Sequence, residues 1–155
     1  MLKISRLTDY AVVMLGYMAK HPEHTFAAGE IADATGVAVP TVSKILKALA
    51  KARILKSTRG AKGGYALAHT PEGTSVAAVI YALEGPIALT ECEGERGGCE
   101  QSSSCDARGS WEVINRAVRA ALESVSLADM ARPGGKLPDE YRIPVASIQK
   151  SIKNY

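Results

Sequence analysis

Two amphipathic segments, parted by a glycine and a proline four positions apart, limit most tightly how this 155-residue chain can fold. Ala27 to Thr35 places Ala28, Ile31 and Ala32 at helical spacing, and Gly36 follows where a helix C-terminus favours glycine. Pro40 then stands where the first turn of a helix tolerates proline. From there to Ala52, Val42, Ile45, Leu46 and Leu49 repeat with helical period. Upstream, Leu7, Tyr10, Ala11, Met14, Leu15 and Met18 outline one face of another helix, which Pro22 stops. Two helices joined by a short glycine-containing turn form the helix-turn-helix pattern.

The outer face of the second helix carries Thr41, Ser43, Lys44, Lys47 and Lys51, with the lysines at i, i+3 and i+7 in one stripe. Short hydroxyls at the N-terminal end suit base edges, and lysines behind them suit phosphates. The plain alternative is a surface helix with a lysine face, but the turn and the stripe together favour DNA. Next, Ile54–Thr58 and Tyr65–Ala68 read as strands flanking Arg59-Gly60-Ala61-Lys62-Gly63-Gly64. Directly after a recognition helix, such a hairpin is the wing of a winged helix. Arg59 and Lys62 at its tip would reach phosphate or minor groove. The tip lacks the G-x-x-x-x-G-K-[ST] spacing of a nucleotide phosphate loop.

Charge is distributed unevenly behind a net +3. Residues 1–70 hold ten basic and four acidic side chains, and residues 41–70 hold seven basic and none acidic. Residues 71–105 reverse the balance, with one arginine against six glutamates. A basic module followed by an acidic segment implies two tasks, the first on a polyanion. No apolar run approaches the ~20 residues of a membrane span. Residues 1–10 lack a leader-like apolar core, so a cytoplasmic protein without a membrane partner is expected.

The acidic segment contains all three cysteines, Cys92, Cys99 and Cys105, spaced C-x6-C-x5-C among Gly, Ser and Glu. A short helix over Thr74–Leu83, broken by Gly85-Pro86, leads into it. A loop with so little to bury needs something to order it, and three thiolates converging on a metal centre would do so. Structural zinc favours C-x2-C pairs and a fourth Cys or His. No histidine follows His69, so an iron–sulfur cluster fits better, with zinc and plain thiol redox chemistry as alternatives. Three cysteines do not make a disulfide scaffold. His21, His24 and His69 lie outside the loop, and no Ser/His/Asp or Cys/His constellation appears, so an enzyme is not expected.

From Trp111 the pattern predicts one uninterrupted helix to about Met130. Its seam is Trp111, Ile114, Val118, Ala121, Val125 and Ala128, with Glu112/Arg116 and Arg119/Glu123 as i, i+4 pairs. Such a helix after a small DNA-binding module predicts a symmetric homodimer. The expected organisation is therefore mainly α with a small β-wing. A winged helix-turn-helix module spans 1–72, a short helix and cysteine loop 73–109, a dimerisation helix 110–131, and a loosely ordered tail 132–155.

The motifs Leu7-Thr8-Asp9-Tyr10-Ala11, Pro40-Thr41-Val42-Ser43-Lys44, Arg59-Gly60 with Gly63-Gly64-Tyr65, Leu83-Glu84-Gly85 and the three-cysteine loop occur in this order. Over roughly residues 1–131 the chain resembles the Rrf2 family of bacterial winged-helix transcription regulators, which includes the IscR and NsrR branches. Leu83 to Cys92 looks most like the regulators of the SUF iron–sulfur assembly system. The resemblance implies a homodimer on double-stranded operator DNA and a cluster held by Cys92, Cys99 and Cys105. The fourth ligand differs between branches. The histidine that one branch places after the third cysteine is replaced here by Asp106-Ala107-Arg108-Gly109. The other branch implies an aspartate from the partner subunit, and Asp9 occupies that place. The resemblance thus favours a 4Fe–4S cluster, with 2Fe–2S as the alternative. Glu91, Glu93, Glu95, Glu100 and Asp106 are rival oxygen ligands. A cluster-free regulator that senses through thiol oxidation or zinc is the competing reading.

Overall fold

A computed structural model of the chain describes residues 3–60, 63–90 and 105–132. Helix α1 spans Arg6–Met18, α2 Ala28–Thr35 and α3 Val39–Lys51; strands β1 (Leu55–Thr58) and β2 (Gly64–Leu67) follow, then α4 (Val76–Glu84), α5 (Arg108–Ser124) and α6 (Leu127–Met130). The result is a mostly helical molecule with one two-stranded antiparallel sheet.

Ser5 caps α1, its hydroxyl accepting from the Thr8 N–H at 3.3 Å. The helix buries Thr8, Ala11, Met14, Leu15 and Met18. Tyr10, expected on the inner face, is instead 37% exposed. Thr8 takes the inner position because the Glu84 carboxylate accepts its hydroxyl at 2.5 Å, which removes the cost of burying it. Gly36 closes α2 in the left-handed region at φ 71°, its N–H donating to the Ala32 carbonyl. Helix α3 buries Val42, Ile45, Leu46 and Leu49 as the periodicity predicts. It ends with Arg53 at φ 60°, where Ile54 N–H donates to Leu49 O and Arg53 N–H to Ala50 O. These are the paired bonds of a Schellman motif, with an arginine where glycine is usual.

The strands pair from Leu55↔Leu67 to Thr58↔Gly64. Gly64, expected in the loop, is the first residue of β2. Outside the hairpin, Phe26 bridges to Tyr65: Phe26 N–H donates to Tyr65 O at 2.8 Å and Tyr65 N–H to Phe26 O at 2.9 Å. Phe26 is buried, with Tyr17 and His24 edge-on at 5.5 and 4.4 Å between ring centroids. The segment before α2 thus pairs with the tip-side half of β2 and ties the wing to the body of the protein.

The predicted helix Trp111–Met130 is not continuous. It begins earlier, at Arg108, and stops at Ser124, where Val125 turns extended (φ −94°, ψ 121°). Ser126 then caps α6 in a capping box with Asp129. The interruption lets Val76 N–H donate to Val125 O and Leu127 N–H to Thr74 O, so the chain pairs with the entrance to α4. Leu127 is fully buried in the same core as α1, α2, α3, the wing and Val79 of α4. The expected seam residues Trp111 and Ile114 are exposed, and α5 itself buries only Asn115. No described helix is long and apolar enough to cross a membrane.

Candidate nucleic-acid interface and cysteine arm

The core contacts of α3 decide which side chains it offers outward. With Val42, Ile45, Leu46 and Leu49 against the core, Lys44, Lys47 and Lys51 are exposed, and Thr41 and Ser43 are half-buried at the N-terminal end. Arg59 is exposed at the wing. The ion pairs among the described residues are His24–Glu30, Arg108–Glu112 and Arg132–Asp129, so none of these four cations is engaged in one. An unopposed lysine stripe beside a basic wing can neutralise a phosphate backbone. Gly60 has φ 111°, and a Cβ on Gly63 would strike the Thr58 carbonyl and the backbone of Arg59 and Gly60. The tip therefore depends on glycine. Lys62 lies outside the described residues.

Asp9 is exposed in the first turn of α1. It lines a groove of about 450 Å³ together with Tyr10, Val13, Thr35, Gly36, Val37, Ala38 and Thr41. One wall of that groove is thus the helix-turn-helix turn and the start of α3. Cys105 is a free, half-buried thiol just ahead of α5, and its carbonyl accepts from Arg108 N–H at 3.2 Å. Cys92 and Cys99 lie outside the described residues, as do Glu91, Glu93, Glu95 and Glu100. Among the described residues no three His, Cys, Asp or Glu side chains gather as a metal site. Asp9 and Cys105 nevertheless fit an iron–sulfur group by chemistry. One is a thiol outside any disulfide and the other a carboxylate outside any ion pair of the described residues.

The root of the cysteine arm is held by contacts that the sequence reading did not foresee. Asn115 is 1% exposed, and its Oδ1 accepts from Leu89 N–H at 2.8 Å. Its amide nitrogen finds no partner among the described residues. Arg119 donates to Ile87 O at 3.3 Å. At the end of α4, Glu84 accepts from Ser5 N–H at 2.9 Å as well as from Thr8. These bonds, the Thr8 hydroxyl first, hold its carboxyl below the usual range. An asparagine inside an otherwise apolar seam was the available signal for the first contact. The Glu84 contact spans 76 residues and has no local signal.

The family model described as Rrf2, iron-dependent transcriptional regulator, matches residues 4–133. The Rrf2 protein of Nitratidesulfovibrio vulgaris is 34% identical over 138 residues, covering 88% of this chain and 92% of its own. The regulator IscR of Photorhabdus laumondii is 27% identical, covering 95% of this chain and 96% of its own. Among solved structures, CymR, the global cysteine regulator of B. subtilis, superposes with a TM-score of 0.64 at 32% identity, over 84% of this chain and 97% of CymR. IscR of T. potens superposes with a TM-score of 0.64 at 28% identity, over 90% and 95% of the two chains. With its helix-turn-helix, its basic wing and this match along most of its length, the chain belongs to the Rrf2 family of DNA-binding winged-helix transcriptional regulators, a family of regulators and not of enzymes.

Proposed function

We propose that the chain acts in the cytoplasm as a homodimer on a double-stranded operator and that an iron–sulfur cluster sets its affinity for that operator. Cys92, Cys99 and Cys105, with Asp9 of the partner subunit, would hold the cluster, 4Fe–4S in preference to 2Fe–2S. A bound cluster would supply an oxidisable link between two chains. The observation that carries the reading is the groove that Asp9 of α1 and Thr41 of α3 both line. A carboxylate engaged there restrains α1 directly beside the start of the recognition helix. Releasing it frees that helix to shift, and dimers read half-sites about one helical turn apart. Lys47, Lys51, Arg59 and Lys62 bind the backbone, while Thr41, Ser43 and Lys44 reach the bases. The expected targets are genes of SUF-type iron–sulfur assembly, by the likeness of Leu83–Cys92.

The test is anaerobic purification with an absorption spectrum, iron and sulfide counts, and footprinting on the promoter of the SUF genes with and without cluster. A band at about 400 nm with about four iron and four sulfide per chain is expected. Asp9→Ala should alter that spectrum, and an unchanged spectrum would remove Asp9 as ligand. The 32% identity to a cysteine regulator favours one second reading, a cluster-free protein sensing by thiol oxidation or zinc. A chain that stays colourless after reconstitution yet footprints DNA would select it.

A further inference from the structure

Val39 is the first residue of α3 and is 48% exposed, although it is branched and apolar. The apolar needs of the turn are met by its neighbours, since Val37 and Val42 are buried. Val39 is not among the residues lining the groove that holds Tyr10, Val13 and Asp9. It precedes Ser43 and Lys47 at i, i+4 and i+8, so the three form one row along the helix, apolar, then hydroxyl, then cation. Pro40 at the start of the helix fixes the backbone beneath it, and the first turn carries no acidic residue. In the major groove the one apolar group on the base edges is the C5-methyl of thymine.

We infer that Val39 is a specificity-determining residue that packs its methyl groups on the C5-methyl of a thymine in each operator half-site. The Ser43 hydroxyl and the lysine ammonium groups cannot supply that preference, because neither rewards an added methyl, and the methyl group of Thr41, which could, is separated by the Thr41→Ser variant. The inference rests on the DNA-binding reading and adds to it one defined base.

The test uses the full chain and its preferred site, selected from random duplexes. Each thymine of that site is replaced in turn by deoxyuridine, which removes only the methyl. One position per half-site should lose about fourfold in affinity, the worth of one buried methyl group. Val39→Ala should bind the thymine and deoxyuridine duplexes alike, within about 1.5-fold. Val39→Ile, which keeps the apolar contact, should retain the penalty, as should Thr41→Ser. A penalty that persists in Val39→Ala, or a site with no sensitive thymine, overturns the inference. If no sequence is selected at all, the DNA-binding reading falls with it, so the two failures are distinguishable.

Discussion

Replacing Gly64 by alanine tests whether the wing is held by the body of the protein or only by its own turn. A Cβ at Gly64 would strike the Phe26 carbonyl, and the obstacle is backbone rather than a side chain that could swing away. The strand must withdraw from Phe26, which breaks the bonds of 2.8 and 2.9 Å between Phe26 and Tyr65. At about 1 kcal/mol net for each bond, with some loosening of Phe26, the loss should be about 2–3 kcal/mol. Gly29→Ala is the matched control. It is an exposed position of α2 with open space around the new methyl, and should gain about 0.5–1 kcal/mol. Urea unfolding at one fixed chain concentration measures both, because association would otherwise shift the midpoints. The variants should differ by about 3 kcal/mol. Gly64→Ala should also weaken operator binding, since the wing loses its fixed position relative to α3. A Gly64→Ala protein within about 0.5 kcal/mol of the wild type would refute the bridge as the wing's anchor.

Lys47→Ala should flatten the slope of log affinity against log salt by about 0.9, the share of one phosphate contact, and an unchanged slope would exclude that contact. Thr8→Val removes the main donor to Glu84. The folded-state pKa of Glu84 lies below its unfolded value, so the stability it contributes is present above the unfolded value and lost as pH falls through the folded one. The gap between wild type and Thr8→Val in urea midpoints should therefore be open at neutral pH and close in acid. A gap independent of pH would assign the effect to packing alone. Ser126→Ala should cost about 1 kcal/mol by dismantling the capping box of α6, read from the same unfolding curves.

The helix-turn-helix was legible because its signals are local: the spacing of Ile31, Val42 and Leu46, the glycine at the left-handed position, and the proline in the first turn. The lysine stripe followed once the buried face was known. The error at Tyr10 arose because a threonine does not read as a core residue until its acceptor, Glu84, is known, and that contact is distant in sequence. The same limit hid the Phe26–Tyr65 bridge. The break at Val125 was illegible for a different reason. Val125 and Ala128 continue the apolar period through the interruption, and only the pairing of Val125 with Val76 shows that the backbone gains more by turning extended. Asn115 was passed over because a seam is read by its apolar members. For the candidate site, Asp9 is an exposed carboxylate and Cys105 a half-buried free thiol, while Cys92, Cys99 and Lys62 fall outside the described residues.

The pairing of Val125–Leu127 with Thr74–Val76 gives the cysteine segment an unexpected topology. Residues 86–124 leave the winged helix after Gly85 and rejoin it at Val125, so they form an insertion within the DNA-binding domain rather than an extension beyond it. Leu127, seated in the core beside α1, is the far rivet. Protease nicking between Glu91 and Ser104 should then leave two fragments that migrate as one folded particle until denatured. Strain arising in the insertion therefore enters the DNA-binding domain at both of its ends, after Gly85 and before Val125, and along the packing of α5 on α4, rather than through a single tether.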